Sequence, residues 1–330
     1  MTLRLTVDRA AWRAHVGHVV TAAGAVVPVV KGNGYGFGCD VLVRECSAWT
    51  RQLAVGTLHE AADLVGRGWA DRFEAVHVLT PGLHVPDELR ADSGGAGRLV
   101  ATVAAPAHVD ALRAGGWRGR VDVKLASSMR RYGVDPPRLA ELMEQVRRAG
   151  FDVATCVLHP PLHDAAHPAR ARDELEAWLA VVDPSLEVSV SHLPLADLLA
   201  LRERHPSRRL SLRLGTTLWH GDKSFLHLAA DVLDARPIGR DTSAGYRLVR
   251  VTDGGTLLMI GAGSAHGVTP LDGGLSPFHF HRERLTLLEP PHMHTSMALA
   301  GARHDAPSIG DWVDVQRPLI TVAVDEIRWR

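Results

Sequence analysis

Through the first two-thirds of the chain, short and nearly continuous apolar runs alternate with longer stretches whose apolar residues recur at helical spacing. The short runs read as strands buried on both faces, and the longer stretches as helices packed against them. Strands are expected at 3–7, 25–30, 52–56, 75–79, 99–103, 121–125, 153–158, 186–190 and 211–214. Helices are expected at 10–20, 40–49, 107–114, 139–149 and 169–182, and Thr57-Leu58-His59-Glu60 forms a capping box that opens another. Strands alternating with helices of that length predict parallel β-α units, and eight such units close a (β/α)8 TIM barrel.

The pattern changes after about His220. Gly, Pro and Asp now punctuate short runs at 226–233, 246–251, 256–260, 285–288, 312–315 and 319–324, with no long helical stretch between them. This predicts a separate, mostly-β domain. The expected organisation is therefore an α/β chain with a barrel over residues 1–221 and a β domain over 222–330.

Composition narrows the function without naming it. Lys plus Arg and Asp plus Glu balance at 37 each among 330 residues, so no net field draws the chain to nucleic acid or an anionic membrane. No apolar run approaches the length of a membrane span, and Asp8, Arg9 and Arg13 break up the N-terminal stretch where a signal peptide would keep an apolar core. Three cysteines, Cys39, Cys46 and Cys156, lack metal-ligand spacing and suit a reducing cytoplasm. Only three lysines occur, Lys31, Lys124 and Lys223, which makes each worth inspecting.

Lys31 ends the apolar run 25–30 and is followed by glycines at 32, 34, 36 and 38. A lysine at the C-terminal end of a barrel strand is placed where barrel enzymes keep reactive groups. The same spacing also suits a lysine that merely reaches for solvent before a turn. The wider segment Val30-Lys31-Gly32-Asn33-Gly34-Tyr35-Gly36-Phe37-Gly38 resembles the V-K-A-N-A-Y-G-H-G signature of the alanine racemase family, with Gly32, Gly34 and Phe37 as departures. In that family the lysine carries pyridoxal phosphate as a Schiff base. The resemblance implies a pyridoxal-phosphate-dependent isomerase of a small-molecule amino acid, with Lys31 as the cofactor lysine and Tyr35 reaching the cofactor phosphate. It implies the same barrel-plus-β-domain architecture, and a homodimer in which one β domain covers the partner's barrel mouth.

Two further segments extend the resemblance. Val121-Asp122-Val123-Lys124, followed by Met129-Arg130-Arg131-Tyr132-Gly133, is similar to the family's strand lysine and its T-G-M-x-R-x-G turn, with Ser127-Ser128 in place of Thr-Gly. The resemblance implies that Arg131 contacts cofactor and substrate carboxylate and that Lys124, often carbamylated in the family, braces it. A planar guanidinium suits a carboxylate, although Arg130 or Arg131 could equally be solvated. Arg213-Leu214-Gly215-Thr216 resembles the family's R-P-G segment, which implies Arg213 at the pyridine nitrogen, with Gly215 and Thr216 at the phosphate. His159 and His192 fall where the family has histidines, and His159 is expected behind the cofactor. The family's phosphate-binding serine is Leu195 here.

The β domain departs most. The family's I-G-Y-A-D-G segment presents a tyrosine to the partner subunit's site as the base opposite the lysine, the lysine serving the D-enantiomer and the tyrosine the L-enantiomer. Here Ile260-Gly261-Ala262-Gly263 stands in its place, and the family's S-M-D is Ser296-Met297-Ala298. The tyrosine position is thus Ala262, with Ser264 and His266 nearby as substitutes. Racemisation needs a base on each face of the α-carbon, so an altered or weakened isomerase is expected. A catalytically silent regulatory module that binds pyridoxal phosphate and a lyase of D-amino acids are the alternatives. The lyase rests on two His-x-His pairs, His279/His281 and His292/His294. Isolated pairs more often line a surface or subunit contact, and no metal is expected.

Overall fold

The computed structural model describes residues 2–90, 96–162, 166–301 and 305–330. The chain divides into two compact units, one of residues 15–32 and 39–219, the other of residues 1–14, 33–38 and 220–330.

In chain order, strand β1 (Leu3–Val7) and helix α1 (Arg9–Ala23) precede the parallel strands of the first unit. These are β2 (Val26–Pro28), β3 (Gln52–Val55), β4 (Ala75–Val78), β5 (Leu99–Val103), β6 (Arg120–Leu125), β7 (Val153–Leu158), β8 (Glu187–Ser191) and β9 (Leu210–Leu214). They pair in the order β2-β9-β8-β7-β6-β5-β4-β3. A parallel bridge between Val29 and Ala54, with Val30 N donating to Ala54 O at 2.7 Å, joins the two ends of that sheet into an eight-stranded barrel. Most strand residues are buried, because the inward faces fill the barrel and the outward faces meet helices. Those helices are α2 (Cys39–Cys46), α3 (Leu58–Gly66), α4 (Pro106–Ala114), α5 (Leu139–Arg148), α6 (Arg170–Leu179), α7 (Leu195–Arg204) and the short α8 (Thr216–His220). Among the described residues, β4 alone of the eight is followed by no α-helix, only by the 3-10 turns Asp87–Leu89 and Ala96–Arg98. Half of the expected capping box is present: Thr57 Oγ1 accepts from Glu60 N at 3.2 Å and starts α3, while the Glu60 carboxylate accepts from Gly32 N and Gly56 N.

The second unit is a mainly antiparallel sheet system built on the long strand Leu226–Ile238. Its first half pairs with β1 (Leu3 opposite Ala230) and with Trp312–Val315. After a bulge between Val232 and Asp234 its second half pairs with Gly255–Ile260. Glu326–Trp329 lies parallel to β1, Arg4 opposite Glu326. An aromatic cluster of Trp12, Phe37 and Trp329 packs beneath, with the rings of Phe37 and of Trp329 each 5.4 Å from that of Trp12. Phe37 is fully buried there, which explains why an apolar ring suits this position.

The observed division differs from the expected boundaries at 221/222. The strand at 3–7 is a member of the β unit, because Leu3, Leu5 and Val7 are buried by partners from 226–230 and 326–329. Residues 33–38 join it too: Asn33 Nδ2 donates to Leu319 O at 2.7 Å and to Val322 O at 2.6 Å. Within the β unit, the run at 319–324 opens as a 3-10 turn (Leu319–Thr321) rather than a strand. The run at 246–251 contributes only Val249–Arg250, because Tyr246 N and Arg247 N donate to the Glu289 carboxylate instead of a ladder. Strands at Phe278–Phe280, Ser296–Gly301 and Glu326–Trp329 are additional.

Candidate active site

Parallel barrel strands aim their C-terminal ends at one mouth, and the loops after them carry the chemistry-bearing side chains. Lys31 follows β2 immediately after the bridging residues Val29 and Val30, and is open to solvent at that mouth. Its pKa is lowered, first by burial of its surroundings, then by the Arg131 charge, while Glu60 opposes both. A lowered pKa increases the share of neutral amine, the nucleophilic and basic form.

Glu60 is held beside Lys31 by two backbone donors. Its carboxylate accepts Gly32 N at 2.9 Å and Gly56 N at 2.5 Å, so it clamps the turn after the lysine to the end of β3. A Cβ on Gly56 would meet Glu60 Oε2 at 2.8 Å and Lys31 Cβ at 3.3 Å, so glycine is what lets these groups approach. The sequence marks Glu60 as a helix cap, and its second role is invisible until β2 and β3 are neighbours.

Lys124 lies on β6 and is buried at 4 % exposure. Burial, with the Arg213 and Arg131 charges, drops its pKa to about 7, against the opposing pull of Asp122. Asp122 and Lys124 share the inward face of β6, two residues apart. Asp122 Oδ2 is 2.7 Å from His77 Nδ1, and both residues are buried. Among the described residues, His77 Nε2 and Asp122 Oδ1 have no hydrogen-bond partner. This inner pair was not read from the sequence; the signal was a polar residue within each of two otherwise apolar strands, Ala75–Val78 and Arg120–Leu125.

Arg213, on β9, is buried at 4 % exposure, and its two terminal nitrogens donate to Ser189 O and Leu158 O, each at 2.7 Å. Burial brings its pKa down to about 10, with Asp122 opposing. It stays a cation at neutral pH and keeps further N–H groups free of those two carbonyls. Among the described residues neither His159, expected behind the cofactor, nor His192 bonds to Arg213. His159 Nδ1 meets the Ser191 hydroxyl, and His192 Nδ1–H donates to Pro160 O at 2.9 Å, with the two imidazoles 4.5 Å apart. Burial, His192 and the neighbouring cations push His159 down to about 2, so it is neutral across the physiological range.

Arg131 is exposed on the loop after β6, its guanidinium 5.3 Å from the Tyr132 ring. That loop is closed at its base by Ala126 N to Val134 O at 3.0 Å and Val134 N to Lys124 O at 2.9 Å. Gly133 sits at φ +130°, and a Cβ there would collide with the Ala126 backbone. Ser127, where the family has threonine, donates its hydroxyl to His159 O at 2.8 Å and so links two mouth loops. Gly215 precedes α8, its carbonyl accepting Leu218 N and Trp219 N, both at 3.0 Å, and Thr216 opens the helix.

The barrel unit thus gathers Lys31, Lys124, Arg131, His159, Arg213, Gly215 and Thr216. Tyr35 belongs to the other unit, where it is buried at φ +57° and its carbonyl accepts His220 Nε2–H at 2.8 Å. In the same unit Ala262 is fully buried, its carbonyl taking the Ser296 hydroxyl at 2.7 Å. His266, considered as a substitute base, is buried and occupied: its Nδ1 accepts Gly263 N at 3.1 Å and its Nε2 faces Asp325 at 3.2 Å. Among the described residues no three His, Cys, Asp or Glu side chains converge as a metal site, and His292 is paired with Glu289 at 2.6 Å.

A closed parallel barrel with a single solvent-facing lysine at its mouth, backed by buried basic groups and followed by a β unit, defines the class of this protein. A family model described as the alanine racemase N-terminal domain matches residues 7–215, and the chain belongs to that family. Its fold is similar to that of alanine racemase from Bartonella henselae with covalently bound pyridoxal phosphate, at 18% identity, covering 100% of both chains with a TM-score of 0.76. It is also similar to the biosynthetic alanine racemase from Pseudomonas aeruginosa (19% identity, 100% of this chain and 99% of that one, TM-score 0.73). The alanine racemase from Corynebacterium glutamicum compares at 18% identity, 100% and 99% coverage and TM-score 0.70. No curated protein sequence matches the chain. No described helix is long and apolar enough to cross a membrane.

Proposed function

We propose that this chain is a pyridoxal-phosphate-dependent amino-acid isomerase of the alanine racemase type that acts through Lys31, with proton transfer strong on one face of the substrate and weak on the other. The observation that carries this reading is Lys31 itself, a lysine of lowered pKa clamped by Glu60 at the end of β2. The donor set of the barrel unit fits the cofactor: an amine of lowered pKa to hold its aldehyde, a buried cation at Arg213 for a ring nitrogen, and the Gly215-Thr216 turn for a phosphate. When bound, pyridoxal phosphate supplies an electron sink that makes the substrate α-proton acidic.

In its neutral form, which the lowered pKa favours, Lys31 Nζ takes the α-proton on its face and returns it. Arg131 offers its guanidinium to the substrate carboxylate and, as a nearby cation, keeps Lys31 from holding a proton too tightly. Arg213 cannot surrender a proton to a pyridine nitrogen, which keeps the sink weak and favours return of the proton over elimination. Lys124 and Asp122 set the charge beneath the site, and neutral His159 sits behind it without adding charge. On the opposite face the family's tyrosine is Ala262, and His266 is committed to its own turn. A positioned base is worth about 10² to 10⁴ in rate.

The homodimer implied by the family is part of this proposal, with the exposed side chains of Tyr246 and Met293 in the β unit as contact candidates. So is a reducing cytoplasmic setting, in which Cys39, Cys46 and Cys156 stay free. The test is to load the protein with pyridoxal phosphate and compare it with Lys31→Ala. The visible absorbance band should vanish in the variant while the barrel stays folded; an unchanged spectrum overturns the assignment. In deuterated solvent the protein should exchange the α-hydrogen of a D-amino acid at least about 10²-fold faster than it forms the L-enantiomer. Balanced racemisation of alanine would refute the one-sided reading.

A further inference from the structure

The barrel has a second opening, at the N-terminal ends of its strands and so opposite Lys31. A cleft of about 630 Å³ lies there, bordered by the first residues of β2, β3, β8 and β9: Val26, Gln52, Glu187 and Leu210. That volume falls within the roughly 300–1,000 Å³ of small-molecule sites. Conserving stability is the ordinary business of this barrel face, and a packed face has no need of such a space.

Four arginines line the cleft, Arg51, Arg202, Arg208 and Arg209, against one carboxylate, Glu187. Three of them spend donors on backbone carbonyls, which hold the guanidinium in place, and none of the three forms an ion pair among the described residues. Arg202 donates to Ala23 O at 2.5 Å and Leu210 O at 2.7 Å. Arg208 donates to Leu179 O and, at 2.7 Å, Val182 O, and Arg209 to Ser185 O at 2.6 Å. Arg208 Nη1 is buried with no hydrogen-bond partner among the described residues. A buried, unpartnered guanidinium nitrogen is unfavourable unless something accepts from it. Glu187 is itself engaged by the Ser211 hydroxyl and forms no ion pair with these arginines among the described residues. Val20, Trp49 and Leu210 add apolar wall.

We propose that this cleft binds a small organic anion bearing two or more carboxylate or phosphate groups, independently of the barrel mouth. Guanidinium groups fixed by carbonyl bonds are pre-oriented for such oxyanions, and several in one partly enclosed cleft focus the field on a single ligand. The apolar wall selects a ligand with a short carbon body over a bare inorganic ion. The experiment is calorimetric titration of the full chain, saturated with pyridoxal phosphate so that its phosphate cradle is filled, with citrate and with inorganic phosphate at constant ionic strength. Citrate should bind saturably at one site per chain, and phosphate more weakly. Arg51→Gln/Arg209→Gln should weaken citrate binding at least tenfold, while Glu187→Gln, which removes the cleft's one negative charge, should tighten it several-fold. Among the described residues Arg51 has no side-chain hydrogen bond or ion pair, so Arg51→Gln alone, expected to weaken binding severalfold, serves if the double variant does not fold. Absence of saturable citrate binding overturns the proposal. So does binding that ignores these substitutions, or that appears only before pyridoxal phosphate is added, which would place the anion at the mouth.

Discussion

Lys124 offers the sharpest quantitative test of the barrel interior. An ordinary lysine titrates at 10.5, and this one is brought down to about 7 by burial, then by Arg213 and Arg131. Below about pH 7 the folded and unfolded chains both hold the proton, and the fold bears the full penalty of burying it. Between about 7 and 10.5 the unfolded chain keeps the proton while the folded chain has released it, so unfolding takes up a proton and stability rises with pH. At about 1.4 kcal/mol per pH unit the full separation amounts to about 5 kcal/mol. Lys124→Met removes the titration while keeping a long, flexible stem in the barrel. Urea unfolding of both proteins, followed by tryptophan fluorescence in carbon-dioxide-free buffer, isolates the effect as their difference. The stability of the native sequence relative to the variant should climb with a slope approaching about 1.4 kcal/mol per pH unit between about pH 8 and 10. Asp122→Asn, which removes the one opposing charge, should move the onset of that climb to lower pH. Parallel curves for the native protein and Lys124→Met across this window would refute the argument, because a lysine that titrates normally contributes no slope there.

Other consequences can be checked alongside it. Glu60→Gln should lower the pH at which Lys31 becomes neutral, and Arg131→Gln should raise it, since Glu60 raises and Arg131 lowers the lysine's pKa; the pH midpoint for developing the visible band with pyridoxal phosphate reads both, and shifts of the same sign would contradict the arrangement. Ala262→Tyr should destabilise the β unit by about 1–3 kcal/mol rather than restore a second base, because Ala262 has no free surface around it; a fully stable variant with faster L-alanine formation would show otherwise. Sedimentation at micromolar concentration should give a dimer, and a monomer would count against the shared-site reading.

The barrel was legible because its strands are buried on both faces and announce themselves as apolar runs between amphipathic helices. Lys31, Arg131 and Arg213 were legible through motifs that lie contiguous in sequence. Glu60 and the His77–Asp122 pair were not, since what gives them meaning is adjacency of β2 to β3 and of inward faces across the barrel. The assignment of β1 failed for a related reason. Five alternating residues followed by a helix satisfy a β-α unit locally, and only the pairing with 226–230 and 326–329 reveals which sheet takes them. Ala262 shows the limit in the other direction: a motif alignment reports the missing tyrosine, whereas packing decides whether one would fit.

The placement of β1 also orders events during synthesis. Its residues are made before those of the barrel strands, yet their parallel partner, Glu326–Trp329, is made more than three hundred residues later. The barrel strands from β2 to β9 are complete once residue 214 has emerged, so that unit has all its pairing partners while β1 still waits with Leu3, Leu5 and Val7 uncovered. An apolar strand left unpaired for that interval is a target for wrong pairing, and closing so long a loop slows the step that finally shelters it. The sheet around β1 can therefore be completed only after residues 226–230 and 326–329 have been made, the last of them well after the barrel strands.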